Sequence, residues 1–258
     1  MAEQSRPRAA GEWVIRPAAV DVAEVFCERM AQRLARRRRE TSGPLSVALT
    51  GGHSAHAFYH AMAARFGPNG WRGEEFRFFW SDERLVPPEH PDSNYRLALE
   101  SLLAPAGIAA AQVHRVPTEA PDAPARYAQT LRQLLPPDGN GVPRLDVLIL
   151  GMGDDGHTAS LFPHTDLYCE NERLVRGVPG TPEHPHDRAT FTPMLINAAE
   201  EVWFLLTGEG KADATARLYA RDSPPEDIPA LVVDPARTRI THFVDAAAAR
   251  HLPPDLRG

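Results

Sequence analysis

Leu145-Asp146-Val147-Leu148-Ile149-Leu150-Gly151-Met152-Gly153-Asp154-Asp155-Gly156-His157 is the stretch that decides the fold. Val147 to Leu150 is an unbroken apolar block with no alternation, as expected of a strand buried on both faces of a parallel sheet. The glycines that follow turn the chain sharply at the strand's C-terminal end. Outward from this strand, Leu145–Leu150, further strand candidates lie at Trp13–Arg16, Ser46–Thr50, Phe76–Trp80, Val202–Thr207 and Ile240–Val244. Helical patterns fall between them, near 18–40, 54–66, 93–104, 122–135 and 209–221. This βαβα alternation predicts an α/β chain with a single doubly wound, mostly parallel sheet flanked by helices. The strand count is too low and uneven for an eightfold barrel. The proline-rich pieces Pro136–Pro143 and Val178–Pro185 read as loops. One domain spanning 1–258 is expected, with 1–10 flexible.

Composition narrows the classes. The chain has 258 residues, 43% of them hydrophobic and 24% charged, enough to bury a core and unlike a disordered chain. A net charge of −6 argues against a nucleic-acid partner. The run Arg36-Arg37-Arg38-Arg39 then reads as a helix C-terminus whose cations face solvent and complement the helix dipole. The two cysteines, Cys27 and Cys169, are far apart, as in a reducing compartment. No apolar stretch suits a signal peptide or a membrane span, so a cytoplasmic protein with no membrane partner is expected.

Ligands of open α/β sheets bind where strand C-termini meet the following helices, and four segments there carry chemistry. Thr50-Gly51-Gly52-His53-Ser54 joins a strand to a helix. Its glycines let backbone amides approach a ligand, and the helix N-terminus favours an anion. The same segment also suits a plain turn with Ser54 as N-cap. It falls short of the G-x-S-x-G nucleophile elbow because His56 stands where a glycine is needed. His53, His56 and His60 lack a third zinc ligand and read as surface histidines.

Trp80-Ser81-Asp82-Glu83-Arg84 ends another strand. Glu83 reads as one half of a structural ion pair and Arg84 as a fork of donors for an anion. Asp92 or Ser93 should cap the helix starting near Asn94.

Gly151-Met152-Gly153-Asp154-Asp155-Gly156 matches the dinucleotide fingerprint G-x-G-x-x-G. Asp154 and Asp155 would repel a pyrophosphate, however, and Pro163 ends any helix too soon. The loop instead presents Asp155 and His157 two residues apart, a general-base arrangement. In Gly208-Glu209-Gly210-Lys211, Lys211 is expected in a first helical turn, where a lysine opposes the dipole unless an anion binds.

Together these segments resemble the 6-phosphogluconolactonase family, within the glucosamine-6-phosphate isomerase/deaminase superfamily. The resemblance runs from about Ser46 to Val244. It rests on Gly51-Gly52, on Trp80 through Pro87 with Ser93-Asn94, on Gly151-Met152-Gly153 with Asp155 through Pro163, on Arg188 with Thr190 and Thr192, and on Gly208 with Gly210-Lys211. It implies a Rossmann-like fold of the sugar-phosphate isomerase type. It also implies hydrolysis of 6-phospho-D-glucono-1,5-lactone to 6-phosphogluconate, a step of the oxidative pentose phosphate pathway, without metal or redox cofactor.

By resemblance His157 is the general base, with Asp155 beside it and Arg84 assisting. Gly51, Gly52 and Ser54 form the phosphate-side loop, and Asp82, Arg188 and Lys211 are further substrate contacts. A monomer or small homo-oligomer is expected. Two positions depart from the family pattern: His53-Ser54-Ala55 replaces the usual Ser-Thr-Pro, and Asp154 replaces a proline. In the sister deaminases the loop continues from the histidine into Ile-Ala-Phe-Asn-Glu-Pro, and its glutamate assists proton transfer. Leu161 and Phe162 stand at the last two positions before the proline here, which favours the lactonase branch.

Overall fold

The computed structural model describes residues 10–41 and 43–257. The expected flexible start, 1–10, therefore lies outside the described residues except for its last position. In chain order the elements are β1 (Glu12–Arg16), α1 (Ala19–Glu40), β2 (Leu45–Leu49), α2 (Ala55–Ala63), β3 (Phe76–Trp80), β4 (Asp82–Arg84), α3 (Asn94–Ala98) and α4 (Ala123–Leu134). They continue with β5 (Val147–Gly151), β6 (Val175–Val178), β7 (Arg188–Phe191), α5 (Pro193–Ile196), β8 (Glu201–Leu206), α6 (Ala212–Ala220) and β9 (Arg239–Asp245).

Six strands form one sheet in the order β1-β9-β8-β5-β2-β3, every neighbouring pair parallel. These are the six strands expected from the apolar blocks, each within two residues of its predicted bounds. β2 is buried at all five positions, and β5 at all but Gly151, which is why neither alternates in sequence.

The remaining three strands were not anticipated. β4, β7 and β6 make a small antiparallel sheet. They are three or four residues long, and two of them carry charge where a strand pattern would need apolar residues (Asp82-Glu83-Arg84 and Arg188). Val178, read from sequence as the start of a loop, is the last residue of β6.

The chain order places the site. From β2 the chain moves outward to β3; it then crosses back to β5 and continues through β8 and β9 in the opposite direction. The crevice between the C-terminal ends of β2 and β5 is thus the topological switch point of the sheet, where ligands of open α/β folds bind.

α1 presents Val22, Ala23, Phe26, Cys27, Met30 and Leu34 to the core, the three-and-four spacing of a helix face. The Phe26 ring lies between those of Phe58, Trp203 and Phe243, with centroids 5.2, 5.1 and 5.2 Å away. At its C-terminal end the arginines do not simply face solvent, contrary to expectation. Buried Arg33 reaches Asp146 and Glu200 at 2.7 Å each, Arg36 reaches Glu200 and Glu201, Arg37 reaches Asp146, and Arg38 reaches Glu75. The pairs of Arg33, Arg36 and Arg37 tie α1 to the N-terminal ends of β5 and β8, and that of Arg38 ties it to the start of β3. Leaving such a buried charge unpaired would cost about 3–5 kcal/mol. No described helix is long and apolar enough to cross a membrane.

Candidate active site

Thr50, Gly51 and Gly52 after β2, Asp82 and Arg84 in β4, Asn94 at the start of α3, and Gly151, Met152, Gly153, His157 and Ala159 after β5 enclose a cavity of about 130 Å³. Arg188 from β7 and Lys211 before α6 complete its wall. The strand ends, the small sheet and the loop after β8 therefore converge on the switch point. A larger cavity of about 760 Å³ lies alongside, and Asp155, Phe162 and His184 are on its wall. Arg84, Arg188, Lys211 and His157 gather around the smaller one.

His157 and Asp155 form a dyad. Nδ1 of the imidazole is 2.7 Å from Asp155 Oδ1, which also accepts the backbone N–H of His157 at 3.0 Å. One carboxylate oxygen thus shapes the loop and orients the ring. Partial burial would by itself raise the Asp155 carboxyl; the bond and charge interaction with His157 outweigh it and hold the carboxyl down at about 2. With Nδ1–H turned to Asp155, the lone pair of the ring is on Nε2.

Gly153 makes this possible, because a Cβ there would lie 2.1 Å from His157 Nδ1 and 2.4 Å from Asp155 Oδ1. Within the run that resembles a dinucleotide fingerprint, Gly153 thus clears space for the dyad. The rings of His157 and Phe162 are 4.9 Å apart, and Phe162 stacks in turn on His184.

β4 and β7 supply the cations. Arg84 and Arg188 are directly paired across the two strands. Like charges so placed repel unless an anion or acceptor lies between them. Arg84 Nη1 donates to the Asp92 carbonyl at 2.5 Å, and Arg188 Nη1 donates to Ser160 Oγ at 3.4 Å. The Nε of each is buried without a partner, and Arg188 also lies over the Phe162 ring. Burial pulls the Arg188 guanidinium below its usual range, and the charge of Arg84 adds to this. Two orphaned guanidinium donors on the wall of one cavity are the strongest sign of an anionic ligand.

Asp82 is buried and does not pair with either arginine. It accepts from Ser160 Oγ at 2.8 Å, and its main-chain oxygen accepts Asn94 Nδ2 at 3.0 Å. Asn94 in turn needs Gly51, where a Cβ would meet its Oδ1 at 1.9 Å. Asn94, which lines the cavity, and Ser160, which holds Asp82 and Arg188 behind it, were not among the expected site residues although both lie in the quoted segments, because a neutral polar side chain does not reveal its partners in sequence.

Two expectations need correction. Glu83 is not half of an ion pair. Its buried carboxylate accepts the backbone N–H groups of Arg84, Asn94 and Tyr95, each at 2.7 Å, and the hydroxyl of Ser93. It satisfies the orphan donors at the start of α3, beside Ser93, which is the N-cap. Burial raises its carboxyl, and the three amides work against that rise.

Ser54 does not line the cavity; it stands at the N-cap position of α2 without a side-chain capping bond, and its Oγ accepts from Thr207 Oγ1 at 2.9 Å. Gly51 and Gly52 alone bring the phosphate-side loop to the cavity wall. Lys211 ends a 3₁₀ turn, Glu209–Lys211, that runs directly into α6, so it lies in the first helical turn as expected. Its Nζ contacts Asp154 at 2.7 Å. The unusual aspartate therefore neutralises one of the three cations. His53, His56 and His60 are exposed, as expected.

The chain matches the model of the family described as glucosamine-6-phosphate isomerases/6-phosphogluconolactonase over residues 17–242. It is 38% identical over 216 residues to a 6-phosphogluconolactonase of Synechocystis, covering 82% of this chain and 86% of that one. Against the 6-phosphogluconolactonase of Homo sapiens the identity is 35% over 235 residues, 90% of either chain. Among solved structures, the 6-phosphogluconolactonase of Trypanosoma brucei superposes with a TM-score of 0.83 at 26% identity, over 95% of this chain and 100% of that one.

Proposed function

Because the chain belongs to the glucosamine-6-phosphate isomerase/6-phosphogluconolactonase family, we propose that it hydrolyses 6-phospho-D-glucono-1,5-lactone, with His157 as the general base. The observation that carries the residue roles is the convergence on one cavity of His157, held by Asp155 from behind, with Arg84 and Arg188, each of which has an unpartnered Nε.

The chemistry follows from that arrangement. Asp155 holds Nδ1–H, so Nε2 takes the proton of a water as its oxygen attacks the lactone C1. The imidazolium that forms is stabilised by the same carboxylate. As the C1–ring-oxygen bond breaks, His157 returns the proton to the departing ring oxygen. Negative charge that develops on the carbonyl oxygen meets guanidinium donors, and the substrate's phosphate is held by Gly51, Gly52, the α2 N-terminus and the remaining cation. Lactones hydrolyse in water unaided, so about 10²–10⁴-fold from general-base catalysis, added to positioning, supplies the rate. The deaminase reading is disfavoured by buried Leu161 and Phe162, which leave no carboxylate at that point of the loop.

The test is a coupled assay with freshly made lactone and phosphogluconate dehydrogenase, run beside glucosamine 6-phosphate. Release of 6-phosphogluconate is expected; turnover of the amino sugar alone would place the chain in the other branch.

A further inference from the structure

His90 and Asp92, in the loop that precedes α3, meet His186, in the loop that precedes β7. One ligand atom from each lies within 4.8 Å of the others. His186 Nε2 is 2.8 Å from Asp92 Oδ2, and His90 Nδ1 is 3.9 Å from the same oxygen. Ligand atoms around a tetrahedral zinc ion, bonded at about 2.0–2.1 Å, stand about 3.3 Å apart, so the two distances bracket the required spacing.

The Nδ1 lone pair of His90 accepts the backbone N–H of Asp92 at 3.1 Å, and a metal ion would take the place of that bond. At His186 the ion would replace the 2.8 Å contact between Nε2 and Asp92 Oδ2. The rings of His90 and His186 are 5.3 Å apart, so no large movement is required.

We propose that His90, Asp92 and His186 form a site for a divalent transition-metal ion of the zinc type, at the rim of the catalytic cavity and separate from its chemistry. Two imidazoles and one carboxylate select zinc-like ions over magnesium or calcium, which prefer all-oxygen ligands. Three protein ligands leave an open position, filled by water on this exposed rim. The nearby guanidinium of Arg84 opposes a dication, and solvent screens that opposition. The Asp92 carbonyl also anchors Arg84, so the ion would brace the loop that carries this anchor. A second cluster, Asp155, His157 and His184, contains the dyad described above and is distinguished in the test.

Zn²⁺ binding to metal-free protein is measured by equilibrium dialysis and calorimetry, with excess Mg²⁺ present. The wild-type chain is expected to bind Zn²⁺. The double variant His90→Ala/His186→Ala is expected to lose one equivalent or at least about tenfold in affinity. His157→Asn is expected to keep that equivalent. Asp92→Asn, which changes no side-chain volume, should weaken binding with an unchanged circular dichroism spectrum. Absence of Zn²⁺ binding by the wild type would overturn the proposal. So would binding by the double variant equal to the wild type, or loss of that equivalent in His157→Asn alone.

Discussion

Removing the carboxylate of Asp154 should tighten substrate binding. That side chain contacts Lys211 Nζ at 2.7 Å and competes with the substrate's own negative charge for the same ammonium. Its side chain is 71% exposed against 25% for Lys211, so water screens the pair and the interaction is weak. Exposed ion pairs of this kind contribute about 0.2–1 kcal/mol. If the substrate's phosphate must displace Asp154, Asp154→Asn returns that free energy to binding, and KM falls about 1.4- to 5-fold. The chemical step does not involve the pair, so kcat stays within about twofold.

Steady-state kinetics at low and moderate ionic strength provide the assay. Salt should shrink the gain, because it screens the competing pair. A double-mutant cycle separates this effect from general charge removal: on a Lys211→Ala background, Asp154→Asn should no longer lower KM. An equal fall in KM on both backgrounds, or a rise in KM for Asp154→Asn alone, would refute the reasoning.

Gly153→Ala should leave the fold intact yet cost most of the activity, because the new Cβ would lie 2.1 Å from His157 Nδ1 and must displace the dyad; kcat and the circular dichroism spectrum check this together. Glu83→Gln should lower the melting temperature, since an amide nitrogen would face backbone N–H groups of α3 or Arg84 at the 2.7 Å positions now held by carboxylate oxygens. Each buried donor left unsatisfied costs about 1–3 kcal/mol, read by denaturant unfolding. The Asp155 carboxyl is held at about 2, so its contribution to stability is present above the ordinary carboxylate range and is lost as pH falls from there through about 2. Acid unfolding of Asp155→Asn should accordingly lack that part of the wild-type loss.

The parallel sheet was legible because each of its strands is an apolar block between helical patterns, and β5 announced both its burial and the loop after it. The small antiparallel sheet was not, since β4 and β7 contain the charges that the cavity uses and so break the pattern that would reveal them. Arg84, Lys211, Gly51 and Gly52 were found from their places at strand and helix ends, and Arg188 only from the family resemblance. The role of Glu83 depends on backbone amides, which leave no mark in the side-chain sequence. Ser54 looked competent because its hydroxyl follows two glycines, yet Thr207, far along the chain, holds it away from the cavity wall. Asp154 was visible as an odd charge, and only the fold shows that its partner is Lys211.

The most direct measurement is the turnover of His157→Asn. Asparagine keeps a polar side chain in the loop and cannot take the proton of the attacking water. The account predicts that kcat falls about 10²–10⁴-fold while KM stays within about threefold of the wild type. A variant that turns over phosphogluconolactone at nearly the wild-type rate would remove His157 from the mechanism.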